Sequence, residues 1–304
     1  MADVTLRSLS EYSLVDTCRD ALAVFAAAGD EVPTVVDAAW FDFRYRSDHL
    51  DRLSSLLAVI DGRPGGVVLV ARRGHTSHVS ALAVARPFQR QGVASALMSR
   101  VLAEARSRED RRVVVEVVAG DPVATALYAR FGFGRVRGLG GHVLRGSLTA
   151  PPDRPIARVD PTEVASAVAR HGATDLPWFY HPATLYGCTP PAIGYALDGR
   201  AHCIVVPRST HVTMRALVVE PQSRRQGLAT ALLSAVAHRY SASAIIVPPL
   251  APDGLGAGFL QALGFAPTPI RHDELELRLA PSTPHEGRSE DTDIRSGAAA
   301  SGPA

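Results

Sequence analysis

The sequence predicts an α/β protein, a mixed sheet flanked by helices, laid out twice along one chain. Two observations carry this. Residues 79–105 (VSALAVARPFQRQGVASALMSRVLAEA) and 212–238 (VTMRALVVEPQSRRQGLATALLSAVAH) follow one plan: an apolar strand-like run, a polar turn containing Arg-Gln-Gly, and an amphipathic helix. Further on, FGF at 131–133 is echoed by LGF at 263–265. Gly92 and Gly227 lie 135 residues apart and Gly132 and Gly264 lie 132 apart, so two separate segments recur in one order.

The first half reads as a strand over 4–8, an Ala/Val/Leu-rich helix over 12–28 and a second helix over 48–54. Strands follow at 55–61, 66–72 and 78–85, with GRPGG as a hairpin turn between the first two. A helix over 92–107, a strand over 112–118, a helix over 122–131 and a strand over 141–147 complete it. The second half repeats this with strands near 156–159, 193–198, 201–206, 211–219, 243–247 and 274–279, and helices near 161–171, 227–240 and 254–262. The expected division is a first domain over 1–148, a Pro-rich linker over 149–155, a second domain over 156–280 and a disordered tail over 281–304, where large apolar residues almost vanish.

Composition narrows the class of function. A length of 304 residues suits two domains, and 46% hydrophobic with 20% charged residues is a soluble globular balance. A net charge of +2 gives no basic face for nucleic acid. Three cysteines (Cys18, Cys188, Cys203) without CxxC spacing, and histidines without HExxH, give no disulfide framework and no metal site. His75 and His78 stand three apart just before a strand. With no signal-peptide pattern and no stretch of roughly 18 apolar residues, the expected location is the cytoplasm, without a membrane partner.

The chemistry is expected at the two turns. Gln89-Arg90-Gln91-Gly92-Val93-Ala94-Ser95 and Arg224-Arg225-Gln226-Gly227-Leu228-Ala229-Thr230 put small residues where a strand hands over to a helix. Small residues admit a ligand close to the main chain, and the first helical N–H groups lack intrahelical partners and sit at the positive end of the helix dipole. That combination makes a pyrophosphate cradle, to which Arg90 adds a charged contact.

These residues resemble the acyl-CoA-binding motif of the GNAT superfamily of N-acetyltransferases, a strand ending in Val-x-Pro, then Gln/Arg-x-x-Gly-x-Gly/Ala, then a helix. Here it reads Val84, then Gln89-x-x-Gly92-x-Ala94, with Leu82 on the same strand; the second copy reads Val219-Glu220-Pro221, then Arg224-x-x-Gly227-x-Ala229. The family's second landmark, Asn-x-x-Ala-x-x-Leu-Tyr-x-x-x-Gly-Phe, is matched from Asp121 through Ala124, Leu127 and Tyr128 to Gly132-Phe133. Arg86 stands where the family has Pro, Ala94 replaces the second Gly, and Asp121 replaces Asn. In the second half Leu260 stands where the tyrosine belongs.

The resemblance implies two tandem GNAT-like acyl-CoA-binding domains, the first catalytic and the second partly degenerate. It implies acetyl-CoA or another acyl-CoA as co-substrate, no metal, and a small-molecule or peptide amine as acceptor, in a monomer or homodimer. Tyr128 is then the general acid that protonates the departing CoA sulfur, and Glu116 and His78 are candidates for the base that deprotonates the amine. Because all 32 basic residues are arginine, the chain has no lysine of its own to acylate. WFDFRYRSDHL (40–50), with Trp40, Phe41, Phe43, Tyr45, Asp42 and Asp48, is placed to meet a cationic amine or to pack in the core. Its counterpart WFYHPATLY (178–186) is placed likewise, or between the domains. The alternative from another class is a non-catalytic acyl-CoA-binding or sensing protein.

Overall fold

The computed structural model describes residues 4–29, 38–146, 148, 154–241 and 243–280. In chain order the first half supplies β1 (Val4–Ser8), α1 (Leu14–Ala28), α2 (Ala38–Asp48), β2 (Leu56–Ile60), β3 (Arg63–Arg73), β4 (Thr76–Val84), α3 (Val93–Ser107), β5 (Arg112–Val118), α4 (Pro122–Arg130) and β6 (Gly134–Arg145). The second half supplies β7 (Ala157–Val159), α5 (Pro161–His171), α6 (Pro182–Tyr186), β8 (Ile193–Leu197), β9 (Ala201–Pro207), β10 (Val212–Val219), α7 (Leu228–Arg239), β11 (Ala244–Pro252), α8 (Ala257–Ala262), β12 (Ala266–Pro267) and β13 (His272–Arg278). Residues 149–153 of the expected linker, the expected tail at 281–304, and the side chains of Trp40, Phe41 and Phe43 lie outside the described residues.

The strands make one mixed sheet in the order β1-β2-β3-β4-β5-β13-β6-β11-β10-β9-β8-β7, with β12 paired to β6. Among the described strands only the β4–β5 and β10–β11 pairs are parallel. The order shows an exchange. β13 of the second half lies against β5 of the first over His272–Arg278, while β6 of the first half lies against β11 of the second. β6 and β13 pair antiparallel with each other at the centre. The reason is visible in β5: Val113, Val115 and Val117 face one side and are buried with α3, and its ladder edge needs a partner to satisfy the main chain. Each half supplies that partner to the other, as in a domain swap within one chain.

Helices α3 and α4 cover one face of the first half, where Leu97, Met98, Val101 and Leu102 pack on Val68, Val70 and Val79. Leu275 and Leu279 from the chain's last described segment belong to this same core. On the other face α1 buries Ala21, Val24 and Phe25 against Leu57, Val67 and Leu69, and Trp178 of the second half joins them.

Three local expectations are corrected. The helix expected at 48–54 lies earlier, at Ala38–Asp48; His49 at φ 61° ends it and Leu50 bridges to Ala71. Asp51 then holds the turn by accepting from the Leu53 N–H (3.1 Å) and the Ser54 hydroxyl (2.6 Å). The hairpin turn after β2 is Asp61-Gly62, both at positive φ, so Arg63–Gly66 of GRPGG belongs to β3. The last strand of the first half is twelve residues long, Gly134–Arg145, because its polar first part pairs with β13, a partner invisible to local periodicity.

Leu275 is one of the side chains through which the second half enters the first half's core. Leu275→Ala is expected to lower stability by about 2–4 kcal/mol in urea unfolding, and a loss below about 0.5 kcal/mol would mean that β13 is peripheral to that core.

Candidate functional site

The site begins where β4 and β5 part. Their parallel ladder runs only from Thr76 to Val79 against Arg112 to Val115, and a bulge at Ser80 follows in β4. Past the bulge, residues 80–84, including Leu82 and Val84, are half-buried and have no β5 partner. The second half repeats the device: β10 pairs with β11 only at Val212–Thr213, and its bulge is at Arg215. Ser80 and Arg215 are 135 residues apart, the spacing of the two turn glycines.

Both turns have the same backbone. Gly92 (φ 84°) and Gly227 (φ 77°) are helix caps in the left-handed region, preceded two residues earlier by Arg90 and Arg225, each at φ 62°. Neither helix has a side-chain cap, and a Cβ on either glycine would meet no atom within 4 Å. The first-turn N–H groups of Val93, Ala94 and Ser95, and of Leu228, Ala229 and Thr230, have no hydrogen-bond partner among the described residues, while Val93 and Leu228 send their side chains into the core. This fits a pyrophosphate held by main chain.

The polar side chains divide into two jobs. Gln89 donates to the Val84 and Ala28 carbonyls (both 3.0 Å), and Arg224 donates to those of Val219 (3.1 Å) and His171 (2.7 Å). Gln91 donates to Pro87 O (2.8 Å) and Gln226 to Gln222 O (3.1 Å). These four brace the loop itself. Arg90 and Arg225 are exposed and have no hydrogen bond or ion pair among the described residues, which leaves them available to a phosphate. The Asp121 carboxylate caps α4, accepting from Val123 N (2.8 Å) and Ala124 N (3.0 Å), and so positions the helix that carries Tyr128.

Tyr128 is buried, edge-on to Phe133 at 5.3 Å between ring centres, and its hydroxyl receives no hydrogen bond from a described residue. Burial, with the Glu116 charge adding to it, pushes the phenol above its ordinary value, so it stays protonated. On the opposite sheet face His78 Nε2 and Glu116 Oε2 are 2.5 Å apart. Burial by itself raises the Glu116 carboxyl, but the charge and hydrogen bond of His78, helped by Arg44, outweigh it and hold the group below the ordinary carboxylate range. Its Oε1 is buried without a hydrogen-bond partner, as is His78 Nδ1.

The second half reaches into this centre. Trp178 stacks on His78 (centroids 4.9 Å apart, planes at 20°) and donates from Nε1 to the Asp48 carbonyl at 2.9 Å. Glu274 of β13 is the cross-strand neighbour of Glu116, and it is bound by Arg137 of β6. Burial raises the Glu274 carboxyl, against the pull of Arg137 and with a push from Glu116, so the two neighbouring carboxyls are driven apart. Nothing in the sequence marks Trp178 or Glu274 as neighbours of His78 and Glu116. Asp48, expected to meet an amine, is buried against Arg44 at 2.6 Å, and Asp42 pairs with Arg46 at 3.0 Å on the surface.

The ladder registers define what the second half has at the same places. The pair His78↔Val114 corresponds to Thr213↔Ile246, so Glu116 corresponds to Pro248, and Tyr128 corresponds to Leu260. There Tyr180 donates to the Pro248 carbonyl at 3.1 Å, and the Arg215 guanidinium lies 3.5 Å from the Phe179 ring centre. Among the described residues no group of three His, Cys, Asp or Glu side chains is placed to hold a metal, and no helix is long and apolar enough to cross a membrane.

Residues 20–133 match the acetyltransferase (GNAT) family model. No curated protein sequence matches the chain. Among solved structures, the chain is similar to a tandem GNAT protein from the clavulanic acid biosynthesis pathway, with a TM-score of 0.65 at 16% identity over 93% of this chain and 100% of that one. It is also similar to a GCN5-related N-acetyltransferase from Sphaerobacter thermophilus (TM-score 0.62, 17% identity, 91% and 96% covered) and to one from Kribbella flavida (0.60, 13%, 91% and 71%). The fold shared with them is the GNAT arrangement of a large mixed sheet flanked by helices.

A glutamate at position 92 tests the cradle: its side chain would enter the open space beside the first helical turn at a φ that disfavours any Cβ. Gly92→Glu is expected to remove acetyl-CoA binding in calorimetry and to lower stability by about 1–2 kcal/mol, and retained binding would place the nucleotide elsewhere.

Proposed function

We propose that the protein is an acyl-CoA-dependent N-acyltransferase, acetyl being the acyl group, and that its first half performs the reaction. The observation that carries this is the placement of Tyr128 and the His78–Glu116 pair on the two faces of the sheet where β4 and β5 part, close enough for the Glu116 charge to act on the phenol, with the 89–95 turn at the end of β4. The second half keeps the turn and replaces the three side chains by Leu260, Thr213 and Pro248.

The residues then divide the work as follows. The 89–95 main chain and Arg90 hold the pyrophosphate, and the unpaired main chain of residues 80–84 runs beside the pantetheine. The acceptor approaches on the face that carries Glu116. Its nitrogen lone pair attacks the thioester carbonyl carbon, and the proton it sheds goes to the unpartnered Oε1 of Glu116. His78 holds the other oxygen and keeps the carboxylate ionised. Main-chain N–H groups of β4 past the bulge stabilise the carbonyl oxygen as it gains charge. The carbon–sulfur bond then breaks and the sulfur takes the Tyr128 proton, leaving free CoA and an amide. No metal enters. A small-molecule or peptide amine is the acceptor, and the cytoplasm is the setting.

The second turn is read as an acyl-CoA site without turnover. Its braces and glycine match the first, but Phe179, Tyr180 and Arg215 occupy the acceptor side of its strand opening. Calorimetry with acetyl-CoA on Gly92→Glu and Gly227→Glu separates the two sites. Turnover lost with Gly227→Glu alone would assign the chemistry to the second half.

Two outcomes follow for the chemistry. Tyr128→Phe is expected to lower kcat about 100-fold without moving the thermal midpoint, since the hydroxyl bonds to nothing described in the protein; unchanged kcat would remove the acid role. For Glu116 to act as base it must be ionised, so the acid limb of the kcat profile lies below the ordinary carboxylate value. In His78→Ala the raising effect of burial persists while its main opponent is gone, so this limb moves to higher pH, and an unmoved limb would exclude Glu116 as the titrating base.

A further inference from the structure

On the face that carries Glu116, the two halves enclose a cavity of about 390 Å³. Its floor is the lower part of the sheet, from Arg73 and Thr76 through Arg112 and Val114 to Glu274 and Arg278, and its roof is the second-half segment around Leu176, Trp178 and His181. It is contiguous with the proposed chemistry through Trp178, which stacks on His78, and Glu274, which neighbours Glu116.

The charges around it do not cancel. Four arginines (Arg73, Arg112, Arg137, Arg278) face three carboxylates (Asp175, Glu274, Glu276), an excess of one positive charge. The carboxylates are already claimed: Arg137 binds Glu274 and Asp175, and Arg112 and Arg278 bind Glu276. Arg73 is different. Its guanidinium lies 3.9 Å from the Trp178 ring centre and donates to the Trp178 carbonyl, Thr184 and His49, and no described carboxylate contacts it. The one carboxylate charge that acts on Arg73 is that of Asp48, which already pairs with Arg44 at 2.6 Å, so this half-buried cation has no counter-ion of its own, an unfavourable state unless a ligand provides one. His181 senses the same field: burial lowers it, and the charges of Arg73 and Arg112 lower it further.

We infer that this cavity is the distal acceptor subsite, and that the acceptor is an elongated amine whose far end carries one negative charge, held by Arg73. This rests on the acyl-transfer reading. Dimensions set the class. Arg73 stands opposite Thr76, itself opposite Arg112, four residues or about 13 Å along the strands from Glu116, and its guanidinium reaches back to the Trp178 ring stacked on His78, which puts the anion about 7–13 Å from the amine. An α-amino acid is too short for that span. Three extended peptide units, at about 3.3–3.6 Å each, fit it.

The matched probes are tri-alanine and tri-alanine amide, which share a free amine and differ in the terminal charge. With acetyl-CoA, the wild type is expected to use the acid at least tenfold better in kcat/KM, through KM. Arg73→Gln brings the ratio towards one and Arg73→Lys preserves it. Arg112→Gln, at a half-exposed position, provides a second reading if Arg73→Gln fails to fold, and it should lower the ratio as well. A ratio near one in the wild type, or one untouched in the folded variants, overturns the assignment. If neither peptide is acetylated, calorimetric titration of the wild type decides. Tenfold tighter binding of the acid upholds the subsite, and equal or absent binding overturns it. Acetyl-CoA is titrated in parallel. Its failure to bind would sink the acyltransferase reading, while a carboxylate preference would still stand by itself.

Discussion

The structure depends on one exchange of strands. β5 carries Val113, Val115 and Val117 into the core under α3, and its outer edge is closed by β13 from the far end of the sequence. β11 is closed in the same way by β6. A strand buried on its faces cannot leave its ladder groups open, because an unpaired buried amide or carbonyl carries a desolvation penalty comparable to a lost hydrogen bond. The two halves are therefore bound by main-chain ladders rather than by a surface contact. Everything that the second half contributes to the first follows from that.

Two contributions matter for chemistry. The ladder sets Glu274 beside Glu116, so a carboxylate held by His78 below its usual range stands next to one raised by burial. The same joining lets Trp178 cover His78 and close the roof of the cavity. The second half thus acts as a wall and a source of field for the first, while its own strand opening is taken up by Phe179, Tyr180 and Arg215. The turn, braced by local bonds, is kept in both copies, while Tyr128, His78 and Glu116 of the first half give way to Leu260, Thr213 and Pro248 in the second.

Much of the candidate site was legible in the residues. The two turns were, because their behaviour is local: a glycine at positive φ, a helix start without a cap, and a strand end braced within a few residues. The role of Gln89 and Gln91 was not, since a glutamine that braces a carbonyl and one that meets a phosphate look alike in sequence. Asp48 and Asp42 had the composition of an amine site, yet arginines four residues away had claimed both. The helix expected at 48–54 failed for a related reason: a positive φ at His49 and a bridge at Leu50 outweigh helical periodicity.

By itself the sequence determined the doubled plan, the alternation of strands and helices, and the two glycine turns at the helix starts, because each depends on chemistry within about twenty residues. Only the tertiary structure decided which strand lies beside β5, that Glu116 gains Glu274 as a neighbour and His78 gains Trp178, and that a positively charged cavity opens between the halves. An alternating strand pattern states that a face will be buried. It carries no information about the identity of the strand alongside, which is settled by ladders between residues more than 150 positions apart.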